Sequence, residues 1–302
     1  MVSKKLLLML VAGCMFSWII PEMGSAAETK KSRILFVTQS IGFKHGSVTR
    51  KTGLAPAEIA LTQLGEKTGL FSVDCTQDCA ADFTKDNLQK YDIVAFYTTG
   101  DLPIADADRD YFFKEWLPQP GHGVLGFHSA LDTFHEYEPY WDMIGGTFIG
   151  HPWTSKTNVV LTNLEPENPL TKSFGKEIAL PEEIYMYRHW QPEKVHLLMC
   201  LDYAKSPVAN PIDTSYGYLV PVCWIKEYGK GKVYVNNMGH NETTWTKPAL
   251  LDSITAAVKW IRGEIKVDAT PNPDVSAAQE QKAHAEFDQG DFKVKPKAAS
   301  RK

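Results

Sequence analysis

Four short apolar runs rich in β-branched residues, each ending in a polar loop, restrict this chain to few folds. Arg33 to Gln39 (RILFVTQ), Phe71 to Thr76, Asp92 to Thr98 (DIVAFYT) and Gly123 to Phe127 alternate with helical stretches at Ala55 to Lys67 and Ala107 to Leu117. Apart from Phe71 to Thr76, these runs do not alternate apolar with polar residues, so both of their faces must be covered. The expected class is α/β, with a mostly parallel sheet and helices on both faces. From His128 to Tyr187 the rhythm breaks, with Gly145-Gly146, Gly150, prolines and many aromatics, and a loop-rich cap is expected there. Regular structure resumes in a strand at His196 to Asp202. A C-terminal β-hairpin follows, Tyr218 to Lys226 with Lys232 to Asn236, around the turn Tyr228-Gly-Lys-Gly231. A helix at Pro248 to Arg262 closes the domain. Residues 263–302 carry Pro271, Pro273 and Pro296 and few large apolar side chains, and read as a linker-like, disordered tail.

The amino terminus reads as an export signal over residues 1–27. Met1-Val-Ser-Lys-Lys5 is basic, Leu6 to Ile20 is apolar, and Gly24-Ser-Ala-Ala27 offers small residues for cleavage after Ala26 or Ala27. An exported, periplasmic or extracellular protein is expected. The segment Val11-Ala-Gly-Cys14 resembles a lipidation site, which would tether the chain to a membrane through Cys14. The apolar run that continues from Met15 to Ile20 argues against it, and that run is shorter than the roughly 20 residues of a spanning helix. The mature chain of about 275 residues is sized for a single core. A net charge of -4 supplies no basic field for phosphate backbones, so nucleic acid is not an expected partner. Cys75, Cys79, Cys200 and Cys223 are even in number, and Cys200 with Cys223 could form a bridge, but all four read more simply as small buried hydrophobes. Cys75 and Cys79 alone are too few for a structural zinc site.

In an open parallel sheet, ligands bind beyond the carboxyl ends of the strands. The residues there are polar: Gln39 and His45 after the first strand, Gly100-Asp101 after the third, His128-Ser129 and Asp132 after the fourth, and Gly239-His240-Asn241-Glu242 after the hairpin. A sharp turn after Phe127 would lift His128 into a cleft. His151 follows the flexible Gly145-Gly-Thr-Phe-Ile-Gly150 and precedes Pro152-Trp153, an aromatic suited to a sugar face. Asp101 and His45 are second-rank candidates that ordinary loop capping would explain equally well.

Six motifs, in order, resemble the ThuA-like (trehalose utilisation) domain family. They are Gly126-Phe-His-Ser129 with Asp132-Thr133, Gly145-Gly-Thr-Phe148 with Gly150-His-Pro152, Glu182-Glu-Ile-Tyr185, Pro221-Val-Cys-Trp224, Tyr228-Gly-Lys-Gly231, and Gly239-His240 with Trp245. The resemblance covers residues 33–262. It implies a class I glutamine amidotransferase-like, flavodoxin-like three-layer fold, and a role in carbohydrate metabolism with a disaccharide or keto-sugar as substrate. Amidotransferases place a cysteine on the turn after a strand and pair it with a His-x-Glu motif. Here His128 holds the turn and His240-Asn-Glu242 resembles the His-x-Glu, so glutamine hydrolysis through a thiolate is excluded.

Two chemistries fit these residues. In one, His128, His151 and His240, with Glu182 or Glu183, bind a divalent metal such as zinc. In the other, His240 oriented by Glu242 is a general base and His128 an acid or oxyanion partner. Of the adjacent pair Glu182-Glu183, one is expected at the site and the other in solvent. Asp132, Glu183, Tyr185 and Asp101 are candidate substrate contacts, joined by Trp153 and Trp245 in the cleft, while Trp224 belongs to the core. Ser129 lies outside any Gly-x-Ser-x-Gly elbow and reads as packing. The activity class expected is a hydrolase, lyase or isomerase acting on sugars. The competing class is a non-catalytic sugar-binding or accessory protein, and the oligomeric state is open.

Overall fold

A computed structural model of the chain describes residues 31–208 and 210–294. The export signal and Cys14 lie outside the described residues, as does the end of the tail. In chain order the elements are β1 (Ser32–Val37), α1 (Pro56–Thr68), β2 (Phe71–Thr76), α2 (Cys79–Asp82), α3 (Lys85–Leu88), β3 (Ile93–Phe96), α4 (Asp106–Tyr111) and β4 (Gly123–Phe127). They continue with α5 (Glu138–Ile144), β5 (Thr147–Trp153), β6 (Asn158–Asn163), β7 (Glu177–Pro181), β8 (Ile184–Arg188) and β9 (His196–Leu201). The last are β10 (Pro221–Tyr228), β11 (Gly231–Asn236), α6 (Pro248–Ile261) and α7 (Pro273–Gln289).

Nine strands form one mixed sheet in the order β2-β1-β3-β4-β11-β10-β9-β6-β7. Pairing is parallel from β2 to β11 and antiparallel from there to β7. The unbroken apolar runs follow from this layering. In β1, Ile34 and Phe36 enter the core shared with α1 and α6, while Leu35 and Val37 enter a second core on the opposite face. Strands β3 and β4 divide their side chains in the same way, as a period of two demands of a strand buried on both faces. Helix α1 starts at Pro56, with the Glu58 carboxylate reaching back to the Ala55 N–H at 2.8 Å. It ends at Gly69, whose φ of +68° favours glycine. Helix α4 passes into a π-helical turn over Phe112–Trp116 that buries Phe112 and Trp116 in the second core. No helix among the described residues is long and apolar enough to cross a membrane.

Two segments differ from expectation. The stretch from His128 to Tyr187 is not chiefly loop: β6 and β7 extend the main sheet, and β5 with β8 forms a separate two-stranded sheet. Of the residues that break the rhythm, Gly150 marks a bulge in β5 and Pro181 ends β7, while Pro139 opens α5. Residues 263–302 are not all linker, because α7 packs Ala283 and Phe287 against the core. That helix has too few apolar residues to announce itself, and polar anchors hold it, including Asn272 bonded through both side-chain atoms to the backbone of Leu197. The described cysteines are all free thiols, and burial pushes each of them up to about 12. The sheet register pairs Cys223 with Met199 and Cys200 with Pro221 rather than with each other.

Away from the strand ends, one ion pair makes stability depend on pH. His196 Nε2 lies 2.6 Å from Glu165 Oε1 and its Nδ1 lies 2.6 Å from the Thr270 carbonyl, so both nitrogens donate. The bond to Glu165 raises the His196 pKa above 6.5, and the same bond lowers that of Glu165 below 4.5. The stabilisation is therefore complete between those two values. It is lost above them as His196 gives up its proton, and below them as Glu165 gains one. Because Glu165 is partly exposed, Glu165→Gln is expected to cost about 1 kcal/mol at pH 6 and clearly less at pH 9. Denaturant titrations at both pH values check this, and an equal loss at the two would contradict it.

Candidate active site

The carboxyl ends of β1, β4 and β11 converge, and the chain places one histidine just past each of them. Beyond β1, a loop pinned by a bridge between Ser40 and Thr99 carries His45 into the interior, where it is 2% exposed. Beyond β4, His128 takes a φ of +40°, a backbone region costly for a residue with a Cβ, and this turn sends its ring inward. The register of β4 on β11 pairs Phe127 with Asn236, which brings His128 beside Asn237. His128 Nδ1 is 2.9 Å from the Asn237 carbonyl. A carbonyl only accepts, so Nδ1 carries a proton and Nε2 is the atom whose lone pair the neutral ring would offer to an ion. Beyond β11, Gly239 at φ +124° turns the chain so that His240 Nδ1 lies 3.3 Å from His128 Nε2.

The carboxylate that joins these rings comes from the turn between β7 and β8. Glu183 Oε1 is 3.1 Å from His240 Nδ1 and 3.6 Å from His128 Nε2, and its Oε2 is 3.3 Å from His151 Nδ1. Its neighbour Glu182, expected in solvent, is fully buried. It accepts from the backbone N–H of Gly239 (3.3 Å) and Asn241 (3.2 Å) and from Thr244 Oγ1 (2.5 Å), which fixes the loop bearing His240. Tyr185 closes the other side, its hydroxyl 3.2 Å from His45 Nε2 and its ring centroid 4.2 Å from that of His128. His45 Nδ1 is buried with no hydrogen-bond partner.

The charges are set by this packing. Burial lowers the His45 pKa to about 2, with the nearby charges of His128 and His240 adding to the effect, so its ring is neutral. Burial alone would raise Glu183, but its hydrogen bonds and electrostatic attraction to His128 and His240 hold it well below the usual carboxylate range. Burial raises Glu182, against the opposing effects of His128, Thr244 and two backbone N–H groups.

One ligand atom each from His45, His128, Glu183 and His240 lies within 4.8 Å of the others. The edge of a tetrahedron built on zinc–ligand bonds of about 2.0–2.1 Å is roughly 3.4 Å. The three separations among His128 Nε2, His240 Nδ1 and Glu183 Oε1 are 3.1, 3.3 and 3.6 Å. His45 is neutral and Glu183 ionised, His128 Nε2 faces both Glu183 and His240, and among the described residues His45 Nδ1 has no partner, which together fit what a divalent cation requires of its ligands. The Asn237 carbonyl behind His128 is the outer contact that fixes a ligating tautomer.

Of the residues singled out in the sequence, His128, His240, Glu183 and Tyr185 come together. His151 stands at the edge: its side chain is 43% exposed and meets the outer oxygen of Glu183, so His45 takes its expected place in the cluster. Glu242 is a correction, since it is exposed, lies over Gly46, and makes no hydrogen bond to His240 among the described residues. Trp153 and Trp245 are also corrections. Both are buried core residues, bonded through Nε1 to the carbonyls of Ser206 and Gly239 respectively, as Trp224 is to that of Ile144. Asp101 and Asp132 line a separate pocket with His135, which sits 2.7 Å from Asp132 Oδ1.

A family model described as ThuA, trehalose utilisation, matches residues 33–261. No curated protein matches the chain. Among solved structures, a ThuA-like protein from Bacteroides uniformis shares the fold with a TM-score of 0.60 at 20% identity, covering 84% of this chain and 99% of its own. A second, from Parabacteroides merdae, gives 0.56 at 14% identity, covering 81% and 99%. These likenesses show the fold, and the match across the sheet and its strand-end loops shows the family: the chain belongs to the ThuA (trehalose utilisation) family, a family of carbohydrate metabolism.

Proposed function

We propose that the protein is an exported carbohydrate-active enzyme that acts on a disaccharide or keto-sugar at a divalent-metal centre held by His45, His128, His240 and Glu183. The observation that carries the reading is the set of donor separations of 3.1, 3.3 and 3.6 Å among Glu183, His240 and His128, with His45 beside them. Three imidazoles around one carboxylate make a poor proton relay, because a charge on any ring opposes a charge on the next, and burial further disfavours a charge on His45. A bound cation satisfies all four groups at once, and it would supply Lewis acidity toward a sugar carbonyl or hydroxyl. His45, His128, His240 and Glu183 would hold the ion, and a substrate hydroxyl or carbonyl would reach it where the ion accepts more than these four ligands.

The chain's own groups divide the remaining work. Glu182 and Asn237 hold His240 and His128 in place. Burial keeps the Tyr185 phenol protonated, and its oxygen can accept from His45 Nε2–H, which leaves the His45 Nδ1 lone pair for an ion. His151 is exposed at the mouth, 3.3 Å from Glu183, and is the group able to exchange a proton with both substrate and water. The signal-like sequence of residues 1–27 supports export.

The test is metal analysis followed by calorimetric titration of chelator-treated protein with zinc and manganese, alongside assays on trehalose and its mono-oxidised keto derivative. One ion per chain is expected, with turnover lost on chelation and restored by metal. Failure to bind either ion would sink the metal centre. One bound ion with no turnover across a disaccharide panel would favour the sugar-binding reading.

A further inference from the structure

Beside His151 opens a cavity of about 360 Å³, at the small end of the ~300–1,000 Å³ typical of ligand pockets and suited to a single sugar ring. Its inner surface is apolar, from Phe148, Pro152 and Met186, and its rim is polar, from Asn210 and Asp213. Phe148 joins it to the histidine cluster, its ring centroid 4.4 Å from that of Tyr185 and 5.9 Å from that of His151. A pyranose has the same division, with C–H groups on its faces and hydroxyls around its edge. Asp213 Oδ1 accepts from the Ser215 N–H at 3.0 Å, and its second oxygen makes no hydrogen bond among the described residues.

The polar rim belongs to the loop between β9 and β10, and that loop is fastened from outside the family-matched segment. The Glu280 carboxylate on α7 accepts from the backbone N–H of Tyr218 (2.9 and 3.0 Å) and of Leu219 (2.6 Å). The Tyr218 ring stacks on His284 at 4.1 Å, and the Ile212 N–H donates to the Lys293 carbonyl at 2.8 Å. The Asn210 N–H closes the loop onto the cap through the Pro152 carbonyl at 3.1 Å.

We infer that this cavity is a sugar-ring subsite adjoining the reaction centre, and that Glu280 of α7 is a positioning residue that sets its polar wall. The inference rests on the carbohydrate reading above. Sugar specificity is then governed in part by residues beyond the matched 33–261.

The test uses the full chain with two probes, trehalose and zinc, each titrated by calorimetry. Asp213→Ala and Glu280→Ala are each expected to weaken trehalose binding about tenfold, the loss of one or two hydrogen bonds, while zinc affinity stays within about twofold. Glu280→Gln should recover most of the loss, because the amide oxygen still accepts from Tyr218 and Leu219. If Glu280→Ala does not fold, Asp213→Ala, on the rim, still tests the subsite. Wild-type protein that binds zinc but not trehalose overturns the subsite and leaves the metal centre standing. Binding of trehalose that neither alanine variant weakens overturns it as well. Trehalose binding weakened by Asp213→Ala in a protein that takes up no zinc supports the subsite and removes the metal centre instead.

Discussion

Replacing His128 with Asn is expected to remove tight metal binding, and turnover with it, while leaving the metal-free fold close to wild type. Asparagine tolerates the left-handed backbone that His128 adopts at φ +40°, so this substitution separates the ligand from the turn that carries it. What disappears is the Nε2 lone pair 3.3 Å from His240 Nδ1 and 3.6 Å from Glu183 Oε1. Even outer contacts of a metal typically change affinity about 10–100-fold, so loss of a direct ligand should cost at least about a hundredfold. Turnover of the keto-disaccharide should fall about a thousandfold or more. An ion that binds only the native state at ~1,000 times its Kd stabilises by about 4 kcal/mol. The wild type should therefore melt distinctly higher with zinc than without, and the variant should not. Melting curves with and without zinc read this directly. Undiminished zinc stabilisation in His128→Asn would place the ion elsewhere.

The second large effect concerns a residue whose position in the chain suggests substrate contact. Trp245→Ala is expected to cost about 3–5 kcal/mol of stability, the usual penalty for emptying a buried aromatic site. Trp245 is 1% exposed, stacks on Tyr97 and packs against Phe36 and Phe127 beneath the sheet end. Its indole N–H holds the Gly239 carbonyl at 3.0 Å, one residue before His240. Weaker metal binding should follow from a loosened His240 loop. Urea unfolding monitored by circular dichroism measures the main effect. Unchanged stability with weakened sugar binding alone would return Trp245 to the cleft.

The parallel half of the fold is legible because β1, β3 and β4 are buried on both faces, which leaves runs of apolar residues that no helix of that length would need, while the edge strand β2 shows itself by alternation. His128 and His240 are legible for a related reason, since one sits directly after such a strand and the other in the short loop that follows one. Glu183 is harder to assign: sequence spacing points to Glu242, two residues from His240, whereas the sheet brings Glu183 to it at 3.1 Å from a different strand turn. His45 lies in a loop of ordinary composition. Its burial is imposed by Thr99 and Tyr185, which are distant in sequence, and only its place after β1 hinted at a role. Helix α7 is illegible because polar anchors such as Asn272 and Glu280 hold it more than apolar residues do.

The four groups of the proposed centre lie at positions 45, 128, 183 and 240, each on a separate loop. In small zinc modules the ligands are near neighbours in the chain, and the ion can gather an unfolded peptide around itself. Here the ring of donors exists only after β1, β4 and β11 have paired and the β7–β8 turn has docked over them. Closing loops of that length is slow and entropically costly. The proposed centre can therefore form only late in folding, and metal occupancy would act as a certificate of assembly: chains halted at any earlier stage would display no complete set of ligands for an ion to seize.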